Sequence, residues 1–326
     1  KHQFFSLVER LKLRGVSIIF ISHALEEALA IADRITVMRD GERVVTDVTS
    51  AFDREKIVRA MVGRSLTGEL YGSHKDRTVR EAGAKVLSVQ NLSMGNVVRN
   101  TSFSIFAGQI TGVFGLIGSG RTEAAKVVAG VMKRDLFHGG QVRFNGASVR
   151  YRVPRPAVRD GIIYVTEDRK VEGFFETMSI AENIHLGALA GGQTKSSTVS
   201  MSEMRSVAEE WIKALNVKAI NADARVIELS GGNQQKVVVA KALVQKPKLV
   251  IFDEPTRGVD VGAIAEIHQL INRLADEGIA VMVISSYLPE ILQLSDRILV
   301  CRQGRIVEEF DGNSADEETI MYAAVH

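Results

Sequence analysis

The chain has little of several things. Its 326 residues include one cysteine, five prolines and one tryptophan, and aromatic residues make up 6%. A single cysteine excludes an internal disulfide, and Cys301, set in the apolar alternation "RILVC", reads as a buried strand residue. There is almost no net charge, because 41 basic residues face 39 acidic ones, leaving +2. Overall electrostatics therefore gives no reason to expect a nucleic-acid partner. No apolar run approaches the roughly 18 residues that cross a bilayer, and the opening "KHQFFSLVERLKLRG" lacks the apolar segment of a secretory leader. Any membrane role is expected to be peripheral, and a reducing cytoplasm suits the composition. What is present is ample core material, 45% apolar residues against 25% charged, enough for one large or two medium domains.

Along the chain, an amphipathic helix with Phe4, Leu7, Val8 and Leu11 on one face comes first. A strand "VSIIFIS", a helix "LEEALAIAD" and two short strands joined at Asp40 and Gly41 follow, and a helix over 53–62 closes the segment. Residues 64–84 mix charges and glycine without a period and are expected to be a linker. From residue 85, strands and helices alternate: "KVLSVQNLS", "TSFSIF", "QITGVFG", a helix from Arg121, "GIIYVTE", helices over 202–215 and after Gly231, "KLVIFDEP", a helix over 263–276 and "AVMVISS". This order implies an α/β domain with a parallel sheet covered on both faces.

The chain also repeats itself. Residues 15–45 align without gaps on 278–308 at an offset of 263, with 13 of 31 positions identical. The expectation is a tandem of two similar domains: 1–63 as the tail of the first, 64–84 as linker and 85–326 as the complete second copy, with the front of the first missing.

Two motifs carry chemistry. "GLIGSGRT" has the glycine spacing of a phosphate cradle between a strand and a helix, with arginine where lysine is usual. Gly115, Gly118 and Gly120 let backbone N–H groups turn inward, and Thr122 offers a hydroxyl to Mg2+. Ser119, Arg121 and Glu123 complete the candidate nucleotide-binding set. Arg121 either binds phosphate as a fork or fills the loop, since its shape differs from that of lysine. The second motif is "LSGGNQQKVVVAKAL" followed by "PKLVIFDEPTRGVD". Its strand delivers Asp253, a candidate metal ligand, and Glu254, a candidate general base, to a sheet edge where such folds bind ligands. Ser230, Gly231 and Gly232 open a helix whose N-terminus is a second anion site.

Together these residues resemble the ATP-binding cassette family of transporter ATPases. More narrowly, "GLIGSGRTE", "YVTEDRK", "LSGGNQQKV", "DEPTRGVDVGA" and "ISSYLPE" are similar to the C-terminal cassette of tandem ATPases that energise bacterial monosaccharide importers. The resemblance implies a P-loop NTPase fold with a mixed sheet core, an antiparallel β subdomain and a helical signature subdomain. It implies ATP and Mg2+ as cofactors, cassettes paired head to tail, and transmembrane permease subunits as partners on the cytoplasmic face of the bacterial inner membrane. A periplasmic sugar-binding protein is implied only indirectly, and nucleic acid is not.

The resemblance also marks departures. Glu167 stands where the family usually has glutamine, and either tightens metal binding, repels nucleotide or is a solvated strand end. Ser286 stands where the switch histidine is usual, whereas the first-copy fragment keeps His23 at the aligned position. The expected result is an asymmetric pair, with the stronger site built from the first cassette, His23 and Ser230 to Gly232. The site of Arg121, Glu167, Asp253, Glu254 and Ser286 is expected to turn over slowly. No aromatic marks the adenine contact, leaving Met94 or Val98, each of which reads more readily as ordinary core packing. Residues 167–225 match the helical subdomain that docks on the permease, with Phe174, Phe175 and Met178 as interface or core. Competing readings are a nucleoside importer, a regulatory cassette that binds without hydrolysing, and a soluble tandem protein acting on ribosomes or nucleic acid, against which the short linker of mixed charge argues.

Overall fold

In the computed structural model, residues 2–21, 25–39, 42–53, 56–57, 60, 78–192 and 200–326 are described. The chain divides into two compact units, one of residues 1–73 with 260–265, the other of 74–259 with 266–326.

In the first unit, helices α1 (His2–Leu13) and α2 (Leu25–Ile31) precede strands β1 (Arg34–Arg39) and β2 (Glu42–Val48), which pair antiparallel from Arg34↔Val48 to Arg39↔Glu42. The proposed turn residues Asp40 and Gly41 lie outside the described residues, as do most of the helix expected over 53–62 and the linker up to residue 77. One expectation is corrected. Residues 16–21 form no strand, and Ile19 and Ile21 are each 92% exposed, because no described strand lies alongside to take their backbone hydrogen bonds.

The second unit holds two sheets. The larger is ordered β12 (Arg305–Asp311), β11 (Arg297–Arg302), β5 (Ile110–Phe114), β10 (Ala280–Ser285), β9 (Leu249–Asp253), β8 (Ile162–Val165). It is parallel except for the β11–β12 hairpin, so the sheet is mixed. Strands β5, β9 and β10 are buried at every position, as expected of continuous apolar runs covered on both faces. The smaller sheet is antiparallel, in the order β4 (Val98–Phe106), β3 (Lys85–Met94), β6 (Gln141–Phe144), β7 (Ala147–Val149). One core joins the two, with Leu87, Val98, Ala125, Leu249, Ile284 and Leu299 among its members.

Helices fill the connections: α3 (Arg121–Val128), α4 (Pro154–Asp160), α5 (Ile180–Ala190), α6 (Met201–Ala214), α7 (Gly231–Leu243), α8 (Val261–Asp276), α9 (Leu288–Leu294) and α10 (Glu317–Val325). Their starts are written in the sequence. Ser179 and Glu182 form a reciprocal capping box at α5, and Ser200, Ser230 and Asp316 cap α6, α7 and α10 through their side chains. Within the second unit, Arg80, in the stretch expected to be a linker, bonds to Asp276 Oδ1 at 2.7 Å and Asn272 Oδ1 at 2.9 Å.

Candidate functional site

Strand β5 runs out at Phe114 and the chain turns through 115–120 into α3. Gly118 and Gly120 take left-handed φ angles of 82° and 90°, which bulkier residues resist. Gly115 and Gly120 also have no room: a Cβ there would lie 2.4 Å from the Cys301 carbonyl oxygen and 2.6 Å from that of Val97. The loop is held from below, where the Ser119 carbonyl accepts the Gly304 N–H at 2.7 Å and the Cys301 thiol at 3.1 Å. Cys301 is buried, as its apolar setting implied, and burial pushes its thiol up to about 11. The Ser119 hydroxyl is buried without a partner, and Glu123 lies half-buried in the first turn of α3.

Beside the loop, β9 delivers Asp253 with no exposed surface. Its Oδ1 accepts the Thr122 hydroxyl at 3.1 Å and its Oδ2 accepts the Tyr164 phenol. Burial pushes the Asp253 carboxyl above the ordinary carboxylate range, while these two donors pull it back. Thr122 and Asp253 thus form a close pair of hard oxygen donors, the set Mg2+ accepts when phosphate and water complete its octahedron. No group of three or more His, Cys, Asp or Glu side chains placed to hold a metal exists among the described residues.

Glu254 follows at φ 48° with its N–H on the Ile284 carbonyl at 2.8 Å. Its Oε1 accepts two donors, Arg121 Nη2 at 2.8 Å and the backbone N–H of Ser286 at 2.7 Å. The Arg121 guanidinium, nearly buried, also donates to the carbonyls of Gly115 and Leu116. Arginine therefore fills the loop and reaches across to the candidate general base. Ser286 contributes a backbone amide at the place expected for a switch side chain.

The remaining expected residues are distributed differently. The Glu167 carboxylate is paired with Arg257, not with the Thr122 and Asp253 oxygens. Ser230 caps α7, its hydroxyl 2.9 Å from Asn233 Nδ2, with Gly231 and Gly232 in the first turn. His23 lies outside the described residues. Val98 is fully buried in the core and cannot stack on a base, and Met94 packs against the same core. Of the three apolar residues expected near a docking surface, Phe174 is buried, Met178 is half-buried, and Phe175 is 52% exposed with the Lys241 ammonium 5.4 Å over its ring. Sequence reasoning missed Tyr164, Arg169 and Arg257. Tyr164 and Arg169 stood in the quoted "YVTEDRK" and Arg257 in "DEPTRGVD", yet nothing in their spacing said what they touch.

A strand-borne carboxylate pair beside a glycine loop, with "LSGGN" opening a capped helix, is matched by one family model: residues 98–257 match that of the ABC transporter. The chain carries an ABC transporter ATPase domain. It is 42% identical over 322 residues to a Rhizobium etli protein named ribose import ATP-binding protein RbsA 2, and 40% identical over 323 residues to the RbsA protein of Caldanaerobacter subterraneus. Each match covers 99% of this chain, and the chain spans 62% and 64% of those relatives' lengths. Among solved structures, an ATP-binding cassette of an ABC transporter superposes with a TM-score of 0.64 at 24% identity, covering 74% of this chain and all of that one. A nucleotide-free cassette superposes at 0.61 with the same identity, covering 74% of this chain and 95% of that one. These likenesses show the cassette fold: mixed core sheet, antiparallel β subdomain and helices.

Proposed function

We propose that the chain is part of an ATP-binding and ATP-hydrolysing subunit that powers import of a monosaccharide through partner permease subunits. The observation that carries this is the meeting of Thr122, Asp253 and Glu254 beside the glycine loop. The relatives' names, ribose import ATP-binding proteins, supply the substrate class. In this reading the amides of 118–122 bind the phosphates, Thr122 and Asp253 hold Mg2+, and Glu254 polarises the attacking water. Bound Mg2+ would neutralise charge on the phosphoryl oxygens. Residues 1–63 belong to a first cassette, 64–84 to a linker and 85–326 to the second. No described helix is long and apolar enough to cross a membrane. The subunit then works from the cytoplasmic face of the bacterial inner membrane, attached through the permease, with a periplasmic sugar-binding protein feeding the pathway from outside.

The two ATP sites are unequal. In the second, Arg121 occupies the loop and Glu254 is tied to Arg121 and to the Ser286 amide, so turnover requires both ties to break. The Ser230 to Gly232 amides serve the other site, together with His23.

The test is uptake of labelled monosaccharide by cells carrying the full-length tandem protein and its permease. Ser230→Arg should lower uptake about 100-fold, whereas Glu254→Gln should retain it within about threefold. Equal loss from both substitutions would overturn the asymmetry, and uptake indifferent to both would overturn the function. This chain alone should show little steady-state ATPase activity at saturating Mg-ATP; strong turnover abolished by Glu254→Gln would refute that.

A further inference from the structure

The segment after β8 is tied to two other parts of the second unit. Asp168 accepts the Val171 N–H at 3.1 Å and caps a single wide turn, Arg169–Gly173, from which Arg169 projects. Its guanidinium forks onto two successive carbonyls, Nη1 to Arg257 at 2.8 Å and Nη2 to Gly258 at 2.9 Å. Gly258 sits at φ 66°, the sharp turn that leaves the "DEP" strand end. Arg257 returns the connection through its own side chain, paired with Glu167.

The third party is the signature helix. A Cβ at Gly231 would lie 2.8 Å from Arg169 Nη2 and 3.0 Å from the Gly258 carbonyl. The fork thus packs directly against Gly231, and a side chain there would press on it. The Arg169 Nε–H is buried without a partner, so the side chain is not placed for its own sake: the two carbonyl bonds hold it there. A planar fork matches two adjacent carbonyls, which an ammonium cannot.

We propose that Arg169 is a positioning residue that fastens the 257–258 backbone to the N-terminus of α7, so that the signature amides and the turn after Glu254 move as one body. The inference rests on the cassette reading, in which that helix end serves the ATP of the opposite site. Arg169 then acts on a reaction it does not touch. Its replacement lowers turnover at the opposite site and leaves nucleotide affinity at the phosphate loop unchanged.

The experiment uses the full-length tandem protein with Mg-ATP. Arg169→Ala should lower kcat about tenfold and change KM by less than about twofold, with Arg169→Lys recovering only part because it keeps the charge and loses the fork. Gly231→Ala pushes against the same fork, so the double variant should be no slower than the slower single variant. An unchanged kcat, an effect confined to KM, full recovery by lysine, or penalties that multiply would each overturn the proposal. Amide hydrogen exchange without nucleotide reads the tie independently of activity: in Arg169→Ala, residues 231–233 and 257–259 should both exchange about tenfold faster. Unchanged exchange sinks the tie. A wild-type protein that hydrolyses no ATP sinks the functional reading instead, with the exchange result still decisive for Arg169.

Discussion

Residues 15–45 and 278–308 carry nearly the same pattern and fare differently. The hairpins agree in detail: Arg34↔Val48 and Arg297↔Asp311 are the same pair displaced by 263, and both ladders slip at the same step, Val37/Met38 and Val300/Cys301. The strands before them do not agree. Residues 280–285 sit between β5 and β9 and are wholly buried, so Ile284 has no exposed surface, whereas its counterpart Ile21 is 92% exposed in a segment with no strand. A hairpin is closed by its own two strands and a turn, so its sequence suffices. A central parallel strand takes hydrogen bonds from neighbours on both sides and forms only where they are supplied.

That contrast can be broken by measurement. Ile284→Ala should destabilise the second unit by about 3 kcal/mol through cavity formation, seen as a lowered urea midpoint, and a cost under about 1 kcal/mol would mean β10 is not central. Position 301 gives the next largest effect. Its thiol, pushed up to about 11 by burial, should alkylate at least about 100-fold more slowly at pH 8 than a thiol placed by Met38→Cys at the 59% exposed counterpart. Similar rates would show the second hairpin opening freely. The divergent switch position is third: Ser286→His with Arg121→Lys should raise Glu254-dependent turnover in the tandem protein about tenfold, and no gain would place the deficit elsewhere. Smallest is Ile21→Ala, within about 0.5 kcal/mol in this chain by thermal unfolding. The same change in the full-length protein should cost as much as Ile284→Ala, and a neutral result there would separate the two copies for good.

The alternation of apolar strands and helices, the glycine loop and the DEP strand end were legible because each is fixed within a few residues by backbone geometry and burial period. The hairpin over 141–149 and the helix Pro154–Asp160 escaped notice, being too short to show a period. The contacts of Tyr164, Arg169 and Glu167 escaped for another reason. They join residues 88 to 90 positions apart, and no local pattern encodes which carbonyl or carboxylate will stand opposite. The strand expected over "VSIIFIS" shows the converse limit, where a correct propensity has no neighbour to act on.

Beneath the phosphate loop, Gly120 and Gly304 both press against the carbonyl of Val97, and Gly304 is stitched by its N–H to Ser119 and by its carbonyl to Arg99 and Thr101. This underside is made of main chain, while the Arg121 guanidinium is bonded within the loop to the carbonyls of Gly115 and Leu116. In the proposed tandem, a cassette can thus carry arginine at this position while the backbone beneath its glycine loop stays braced. Divergence between the two proposed cassettes would then begin in side chains while the backbone is kept.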